Sequence, residues 1–450
     1  MTQKTVAVIG AGLTGLSTAL YLKKQNIPFK VFEKSNRVGG VIQSHRKHGF
    51  LWESGPSTGT LGKPEAMELF EDSDSLDLLE IASPVSKKRY IWKKGKFRVI
   101  PSSPISGLFT PLFSLRDKFG ILLEPFRPRG TDPYENLSSF VKRRLGESIL
   151  DYAVDPFVSG VYASSPDILI PKYAFPKLYN LEQEYGSFLR GAFHKMREKK
   201  TDRDRKATKQ VFSAKGGLGA LVEKLETFIG AEHIVTGAQN LNCSPTEDGR
   251  YQIMQSGKLE TFDGIIFAAG AEHLFEVFPF LNQPKFHDAV KVTYAPVIEA
   301  AVGFKKWNGL SLNGFGGLIP SKENRKLLGV LFMSSLFTDR APAGGALLSV
   351  FMGGLRRTDY LSRSDSELRE TVLAELGEML RIPNPAPDLF EIARHEKAIP
   401  QYDILTAERM KIFGEIETAY PGLILGGNGV GGIGMADRIR QGSQMAFRLE

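Results

Sequence analysis

Cysteine is nearly absent from this sequence, which has one, Cys243, in 450 residues. A single thiol excludes an internal disulfide framework and a redox dithiol, and it is typical of proteins from a reducing compartment. The residues around Cys243 give no support to a nucleophile, so we expect a buried, inert thiol. The compartment that we predict is the cytoplasm.

Long hydrophobic runs are also absent. Outside residues 6–22, no stretch approaches the roughly eighteen apolar residues that a membrane-spanning helix needs. Residues 6–22 follow Lys4 and resemble the core of a signal peptide, but three glycines interrupt them and no small-residue cleavage site follows. We predict a soluble protein, or one that lies peripherally on the inner face of the cytoplasmic membrane.

Motifs for metal binding and for hydrolysis are missing as well. The seven histidines show no metal-ligand spacing such as His-x-x-x-His, so we predict no metal. No serine or cysteine hydrolase motif is present, and we name no catalytic residue.

Basic residues outnumber acidic ones, with a net charge of +8. The densest basic run is 195–209, which has eight Lys or Arg residues against three acids. We interpret the run as a solvated surface, with an anionic membrane surface as the main alternative. No base-reading module accompanies the charge, so we predict no nucleic-acid partner.

Residues 1–37 contain the best-defined motif. The apolar run 5–9 predicts a strand, the glycine-rich residues 10–15 follow, and leucines then recur at helical spacing. A second strand, 29–32, ends on Glu33. This is the order of a dinucleotide-binding βαβ unit, in which three glycines permit a tight turn, approach to a pyrophosphate and close helix packing. We expect the helix N-terminus to bind the pyrophosphate and Glu33 to bind ribose hydroxyls.

A second glycine motif follows at 37–40. Its glycines let the chain pass close to a phosphate or a ring, and Arg37 can neutralise charge. A plain NAD dehydrogenase does not need this second motif, which favours FAD as the cofactor.

The rest of the chain alternates between strand-rich and helix-rich segments. Apolar residues at helical spacing predict a mostly helical insert, which includes an apolar segment at 108–123, whereas strands dominate 294–354. The glycine-rich tail 426–434 lies between a strand and a helix. We predict an α/β protein with discontinuous domains: a Rossmann-like FAD-binding domain from 1–85, 211–275 and 415–450, a helical membrane-binding and substrate-channel insert at 86–210, and a β-sheet substrate-binding domain at 276–414.

Several motifs together resemble a known family. The two glycine motifs, Gly55-Pro56 and the tail resemble the flavin amine oxidase and phytoene desaturase superfamily. Residues 156–163, 174–178, 314–321, 339–342 and 399–402 are similar to its protoporphyrinogen oxidase branch, and 118–126 to the plant mitochondrial form. The resemblance covers nearly the whole chain.

The resemblance implies a three-part architecture of FAD domain, substrate domain and helical membrane-binding domain. It implies removal of six electrons and six protons from protoporphyrinogen IX to give protoporphyrin IX in haem biosynthesis, with oxygen reoxidising the flavin to yield hydrogen peroxide. The FAD is implied to be non-covalent, and the tail has no cysteine to attach it. A homodimer is left open.

Site residues follow from the resemblance position by position. The implied cofactor contacts are Gly10, Ala11, Gly12, Leu13, Thr14, Gly15, Glu33, Lys34, Arg37, Gly40, Gly55, Pro56, Ser57, Thr58, Asn240, Asn428, Ile433, Gly434 and Met435. Two positions depart from the family: Asn240 stands where valine is usual, and Ser57 stands where the animal form has arginine.

The implied substrate contacts are Arg89 for a propionate, Leu318 and Leu331 around the macrocycle, Phe351 stacked on a pyrrole ring, and Gly316 beside them. From the residues alone, each apolar one could equally be a core residue, and Arg89 a cation on a surface hairpin. Three alternatives stay open: oxidation of coproporphyrinogen III, another flavin amine oxidase or desaturase activity, and a porphyrin carrier that retains FAD for structure.

Overall fold

The structure, a computed structural model, describes residues 4–199 and 201–448, and the backbone alone at 104, 105 and 108. The strands are β1 (Val6–Ile9), β2 (Phe29–Phe32), β3 (Ser44–Lys47), β4 (Phe50–Glu53), β5 (Gly59–Thr60), β6 (Leu79–Ile81), β7 (Arg89–Lys93), β8 (Lys96–Val99), β9 (Val211–Ala214), β10 (Ile234–Val235), β11 (Asn242–Pro245), β12 (Tyr251–Gln255), β13 (Lys258–Phe262), β14 (Gly264–Phe267), β15 (Tyr294–Phe304), β16 (Gly316–Leu318), β17 (Gly329–Leu331), β18 (Ala346–Gly353), β19 (Leu389–Pro400) and β20 (Leu423–Leu425).

The helices are α1 (Leu13–Lys24), α2 (Pro64–Asp72), α3 (Pro104–Phe109), α4 (Leu115–Leu122), α5 (Leu137–Leu145), α6 (Glu147–Ile149), α7 (Asp155–Tyr162), α8 (Pro171–Ala174), α9 (Pro176–Tyr185), α10 (Phe188–Met196), α11 (Asp202–Arg205), α12 (Leu218–Ile229), α13 (Leu274–Val277), α14 (Met333–Leu336), α15 (Asp365–Met379), α16 (Thr406–Ala419) and α17 (Met435–Phe447).

A five-stranded parallel sheet forms the centre of the first unit, in the order β10-β2-β1-β14-β20. Its strands come from the start, the middle and the end of the chain. Leucines and isoleucines of α1, α12 and α17 form one buried cluster with the sheet. Residues of β12, β13 and α16 cover its other side in a second cluster.

A seven-stranded mixed sheet, in the order β19-β15-β18-β17-β16-β7-β8, forms the centre of the second unit. One face packs against α15 through Leu368, Val372 and Leu376. The other face turns toward β4, where Phe50 and Trp52 pack against Ala301 and Leu347. The second face therefore meets the first unit.

Helices dominate residues 104–205, and they surround a buried ionic centre. Arg144 is fully buried and forms ion pairs with Glu124 and with Glu182, the latter at 3.4 Å. The Ser187 hydroxyl also donates to Glu124, at 2.5 Å. No helix within 4–199 and 201–448 is both long and apolar enough to cross a membrane.

The structure differs from the sequence predictions in two places. The hairpin of β7 and β8 joins the seven-stranded sheet, so residues 89–99 belong to that sheet although the predicted insert began at residue 86. The strand predicted over 234–243 is two short strands, because the chain turns at Gly237 and Asn240, both with positive φ.

Two other predictions concern single features. Cys243 is fully buried, as expected, and burial raises its pKa to about 12. In the basic run, Arg203 pairs with Glu65 and Glu68 of α2, and Lys206 pairs with Glu71. Acidic residues of α2 therefore neutralise part of the positive charge of that run.

Candidate FAD and substrate site

The first glycine-rich loop connects β1 to α1. Helix α1 begins after Gly12 with no side-chain cap, so its first N–H groups face outward. A Cβ on Gly15 would lie 1.8 Å from the Gly10 carbonyl oxygen, and this close packing requires glycine. A Cβ on Gly12, by contrast, would have no atom of the described chain within 4 Å. The helix N-terminus therefore opens onto free space, and it can accept a pyrophosphate.

Glu33 is buried beside this loop at the end of β2. Its Oε2 accepts the Ala11 N–H at 2.7 Å, and its Oε1 accepts the Ser35 N–H at 2.8 Å. Each carboxylate oxygen can accept a second bond, so ribose hydroxyls can still bind there. Two residues of the 234–243 segment bond to the backbone of Glu33. The Glu33 N–H donates to the Val235 carbonyl at 2.8 Å, and the Ala238 N–H donates to the Glu33 carbonyl at 2.8 Å. Asn240 lies two residues further along, exposed.

The second glycine motif lies directly against the first. The Gly39 N–H donates to the Ala11 carbonyl at 2.8 Å. Arg37 donates to the carbonyl of Gly40 at 2.6 Å and to that of Ile42 at 3.1 Å, so its guanidinium fixes the shape of this loop. The next side chain, Val41, is 65% exposed. An exposed apolar side chain next to this glycine loop suits the face of a cofactor ring. Lys34, also assigned to the cofactor, is exposed and pairs with Glu276 at 2.9 Å.

The segment 55–58 leaves β4 and crosses toward the seven-stranded sheet. Its start is fixed by the Ser54 N–H, which donates to the Gln43 carbonyl at 3.0 Å. Ser57 is buried, and its hydroxyl donates to Glu299 Oε1 at 3.0 Å. Pro56 and Thr58 on either side are half-buried. The segment thus links the second glycine motif to the sheet.

The glycine-rich tail 426–434 is held by side chains of α17 and of the second unit. Arg438 donates to the Val430 carbonyl at 2.7 Å, and the Tyr402 hydroxyl accepts the Gly432 N–H at 2.6 Å. Asn428 Oδ1 lies 3.1 Å from the Tyr294 hydroxyl. At the start of α17, the Asp437 carboxylate accepts the Gly434 N–H at 3.3 Å, so that donor is already satisfied. Ile433 is half-buried and Met435 buried beside it.

Three of the predicted substrate residues occupy one row across the seven-stranded sheet. Arg89 on β7 is paired with Gly316 on β16, which is paired with Leu331 on β17. The row continues to Ser349 on β18. Leu331 is half-buried, whereas Arg89 is exposed and lies 5.1 Å from the centre of the Phe315 ring.

The other two predicted substrate residues lie in the next row of the same face. Leu318 is paired with Gly329, and Gly329 is paired with Phe351. Positions two residues apart along a strand point to the same side, so both rows share one face. Both side chains are half-buried, and Gly160 of α7 approaches Leu318 so closely that a Cβ there would lie 2.3 Å from it. The structure therefore brings all five predicted residues together.

Glu299 was missed by the sequence analysis, although it continues this second row. It is paired with Phe351 across β15 and β18, and it is buried. Burial raises the pKa of its carboxyl to about 8, the hydroxyls of Ser57 and Ser349 lower it in part, and Glu53 raises it further. The signal was a single acidic residue inside the apolar run 297–304. Glu53 is also buried, and burial raises its pKa.

The residues present fit FAD. An uncapped helix N-terminus, an acid with spare acceptor capacity, and an exposed apolar side chain match the pyrophosphate, the ribose and the ring in turn. Within the described residues, no group of three or more His, Cys, Asp or Glu is placed to hold a metal ion.

Comparison with known proteins gives consistent relatives. Residues 13–446 match the profile of the family described as flavin containing amine oxidoreductase. The chain is 31% identical to protoporphyrinogen oxidase 2, chloroplastic/mitochondrial, of Arabidopsis thaliana, over 98% of this chain and 93% of that one. It is 28% identical to coproporphyrinogen III oxidase of Staphylococcus aureus, over 98% of each.

Among solved structures, the fold is shared with a candidate protoporphyrinogen oxidase from Exiguobacterium sp. 255-15. The TM-score is 0.81 with 22% sequence identity, and the likeness covers 100% of this chain and 99% of that one. At this identity the likeness concerns the fold alone.

Proposed function

The chain belongs to the family of flavin containing amine oxidoreductases, and on this premise we propose that it oxidises protoporphyrinogen IX to protoporphyrin IX. FAD is its cofactor, which we take to be bound non-covalently. The observation that carries the proposal is the single sheet face on which Arg89, Leu318, Leu331 and Phe351 lie together. The segment with Ser57, assigned to the cofactor, crosses this same face.

The chemistry of that face suits a porphyrinogen. Such a ring is large, apolar and puckered, and its carboxylates lie on one side of it. Half-buried Leu318, Leu331 and Phe351 offer apolar contact, and Arg89 at the exposed end can bind a carboxylate through two parallel hydrogen bonds. At the other end of the rows are Glu299 and Glu391, which supply no positive charge for a carboxylate. We therefore orient the propionates toward Arg89.

The flavin supplies the acceptor for a hydride, and the protein orients the donor carbon. Leu318, Leu331 and Phe351 fix the plane of the macrocycle and exclude water from it. Arg89 fixes its rotation within that plane. Three such two-electron oxidations remove the six electrons, and we propose oxygen as the final acceptor, which yields hydrogen peroxide.

Coproporphyrinogen III is the second candidate, because a relative that acts on it is 28% identical over nearly the whole chain. It carries four propionates. The first row carries Arg89, and the second continues from Leu318 through Ile91 to Arg98 on β8. Both cations lie at the same end of the sheet, and the remaining positions of the rows are apolar, small or acidic. Two cations at one end of an apolar floor favour the substrate with two propionates.

The test is steady-state oxidation of both porphyrinogens, followed by porphyrin fluorescence. Replacing Arg89 by alanine is expected to raise KM for protoporphyrinogen IX by about 10- to 100-fold with kcat little changed, because a charged hydrogen bond present in ground and transition states is lost. Lys96→Ala, an exposed cation at the tip of the same hairpin, is the matched control. An unchanged KM in Arg89→Ala contradicts the assigned role of Arg89. Turnover of neither substrate contradicts the function and favours amines, polyenes or a carrier role.

We also propose that the insert binds the surface of an anionic membrane. Apolar side chains on and around α3 and α4 are exposed, with Phe109 and Leu115 each 78% exposed and Phe119 and Leu122 each 65%. The segment predicted from sequence begins at Leu108, whose side chain lies outside the described residues. Such a patch exceeds what scattered surface apolar residues produce, and the net charge of +8 adds attraction to anionic headgroups.

Sedimentation with anionic vesicles at low salt tests the membrane proposal. The wild-type protein is expected in the pellet, and the double variant Phe119→Ser/Leu122→Ser largely in the supernatant, because each removed side chain loses about 1.5–3 kcal/mol of burial. Leu259→Ser, an exposed leucine on β13 of the first unit, serves as the control. Wild-type protein that stays in the supernatant refutes the proposal.

A further inference from the structure

A buried acid on the substrate face has no role in the proposed function so far. Glu299 lies in the middle of β15 and is directly paired with Phe351, which we assign to the pyrrole ring. Its side chain is 3% exposed. Buried carboxyls are rarely retained without a partner of opposite charge.

The partners of Glu299 are hydroxyls and another acid. Ser57 donates to its Oε1 at 3.0 Å, and Ser349, in the row beside it, is a second hydroxyl partner. Its charged neighbour is Glu53 on β4, which disfavours a negative charge on Glu299. Burial and this neighbour raise the pKa of the carboxyl to about 8, so the carboxyl stays protonated at pH values where an ordinary one is ionised. A group with this pKa can both take up and release a proton near neutral pH.

A cavity of about 260 Å³ connects with this carboxyl. Its polar lining includes Glu299, Glu53 and His45, together with Ser54 and Glu391. The cavity has both polar and apolar lining and is large enough for several waters. His45 is hydrogen-bonded to the Ser54 hydroxyl at 2.9 Å and is half-buried. Glu391 forms an exposed pair with Lys47 at 2.6 Å, so this end of the cavity lies near solvent.

We propose that Glu299 takes up the protons released from the substrate, through the Ser57 hydroxyl, and passes them to solvent through the cavity lined by Glu53 and His45. Glu299 receives the proton from Ser57 and does not touch the substrate, so it is a positioning residue and not a catalytic one. The inference rests on the proposed function.

The step balances in atoms and electrons. In each two-electron oxidation, a C–H bond of a bridging carbon breaks and its hydride leaves to the oxidised flavin. The N–H bond of a neighbouring pyrrole breaks, and its electron pair forms the new ring double bond. The pyrrole proton passes to the Ser57 oxygen while the Ser57 proton passes to the Glu299 carboxylate. Release of that proton into the cavity restores Glu299 before the next oxidation.

The pH dependence follows from the groups that face Glu299. These are Glu53 on β4 and, across the cavity, His45 on β3 and Glu391 on β19. Glu299 accepts a proton only when it is ionised, so the rate of flavin reduction is expected to rise with pH up to about 8 and then level off. Of these groups, Glu53 shifts the rise upward, because its charge disfavours ionisation of Glu299.

The experiment is anaerobic stopped-flow reduction of the FAD-loaded protein by protoporphyrinogen IX across pH 6 to 9. Glu299→Gln keeps the size and the hydrogen bonds of the side chain but cannot take up a proton. Its reduction rate is expected to fall about 100-fold and to lose the rise with pH, with KM unchanged. Glu299→Asp is expected to recover part of the rate. Glu396→Gln makes the same chemical change at an exposed position of the neighbouring strand β19 and is the control.

A second readout needs no turnover. A pH indicator in weakly buffered solution reports proton release when the substrate-free, FAD-loaded protein is jumped from about pH 6.5 to 9, and the wild type is expected to release one proton more than Glu299→Gln. Equal proton release, or an unchanged rate and pH profile in Glu299→Gln, overturns the relay. If neither porphyrinogen reduces the wild-type flavin, the proposed function fails and the relay fails with it.

Discussion

Replacing Glu299 by glutamine is expected to flatten the pH dependence of stability. Burial raises the pKa of this carboxyl from 4.5 in the unfolded chain to about 8 in the folded protein. Between these values the folded state holds a proton that the unfolded chain has released. The free energy of unfolding therefore falls as the pH rises above about 4.5, and this contribution is fully lost above about pH 8.

The magnitude follows from the size of this shift. One pH unit within the window corresponds to about 1.4 kcal/mol. Integrated from pH 5 to 7.5, the loss of unfolding free energy is roughly 3 kcal/mol. With about 2.1 cal/mol/K of unfolding entropy per residue, a chain of 450 residues loses roughly 3 °C in Tm over that interval.

Melting curves of the FAD-loaded wild type and of Glu299→Gln at pH 5 and 7.5 measure this effect. From pH 5 to pH 7.5 the Tm of the wild type is expected to fall by roughly 3 °C more than the Tm of the variant, because glutamine does not ionise. Glu396→Gln, exposed on β19, is expected to show no such relative change. A constant difference between wild type and Glu299→Gln refutes the argument that this carboxyl is protonated in the fold.

Three further predictions concern other parts of the structure. Arg144→Met is expected to destabilise the protein by about 3–5 kcal/mol in chemical denaturation, because Glu124 and Glu182 stay buried without a cation, whereas Lys142→Met on the exposed side of α5 changes little. Gly15→Ala is expected to abolish FAD retention after gel filtration, because its Cβ would meet the Gly10 carbonyl. The control Gly414→Ala in α16, where the Cβ has open space, is expected to retain FAD. Normal flavin content in Gly15→Ala contradicts this prediction. Cys243 is expected to resist iodoacetamide at pH 8 until the protein unfolds, because it is buried with a pKa of about 12, and rapid alkylation of folded protein contradicts its placement.

Much of the cofactor site could be predicted from sequence because its signals are local. The spacing of Gly10, Gly12 and Gly15 before a helix, followed by an acid at the end of the next strand, needs no knowledge of distant contacts. The structure accordingly shows Glu33 bonded to Ala11 and the Gly39 loop bonded to the same residue. The middle segment was less predictable: the chain turns at Gly237 and Asn240, and the residues that bond to Glu33 are Val235 and Ala238.

The substrate face could not be derived from residue patterns, since it depends on which strands become neighbours. Arg89 and Leu331 are 242 residues apart and meet through a parallel pairing of β7 with β16 that no local pattern specifies. The strand β19 was missed because charged residues occupy its exposed edge, and the acid of Glu299 was overlooked inside an apolar run. That Glu299 and β19 adjoin the substrate residues followed only from the strand register.

The most direct test of the central claim is anaerobic reduction of the bound flavin by protoporphyrinogen IX and by coproporphyrinogen III under identical conditions. Bleaching of the flavin absorbance that is much faster with protoporphyrinogen IX, with a porphyrin as the product, is the result we predict. Faster bleaching with coproporphyrinogen III assigns the protein to the substrate with four propionates. No bleaching with either contradicts porphyrinogen oxidation as its function.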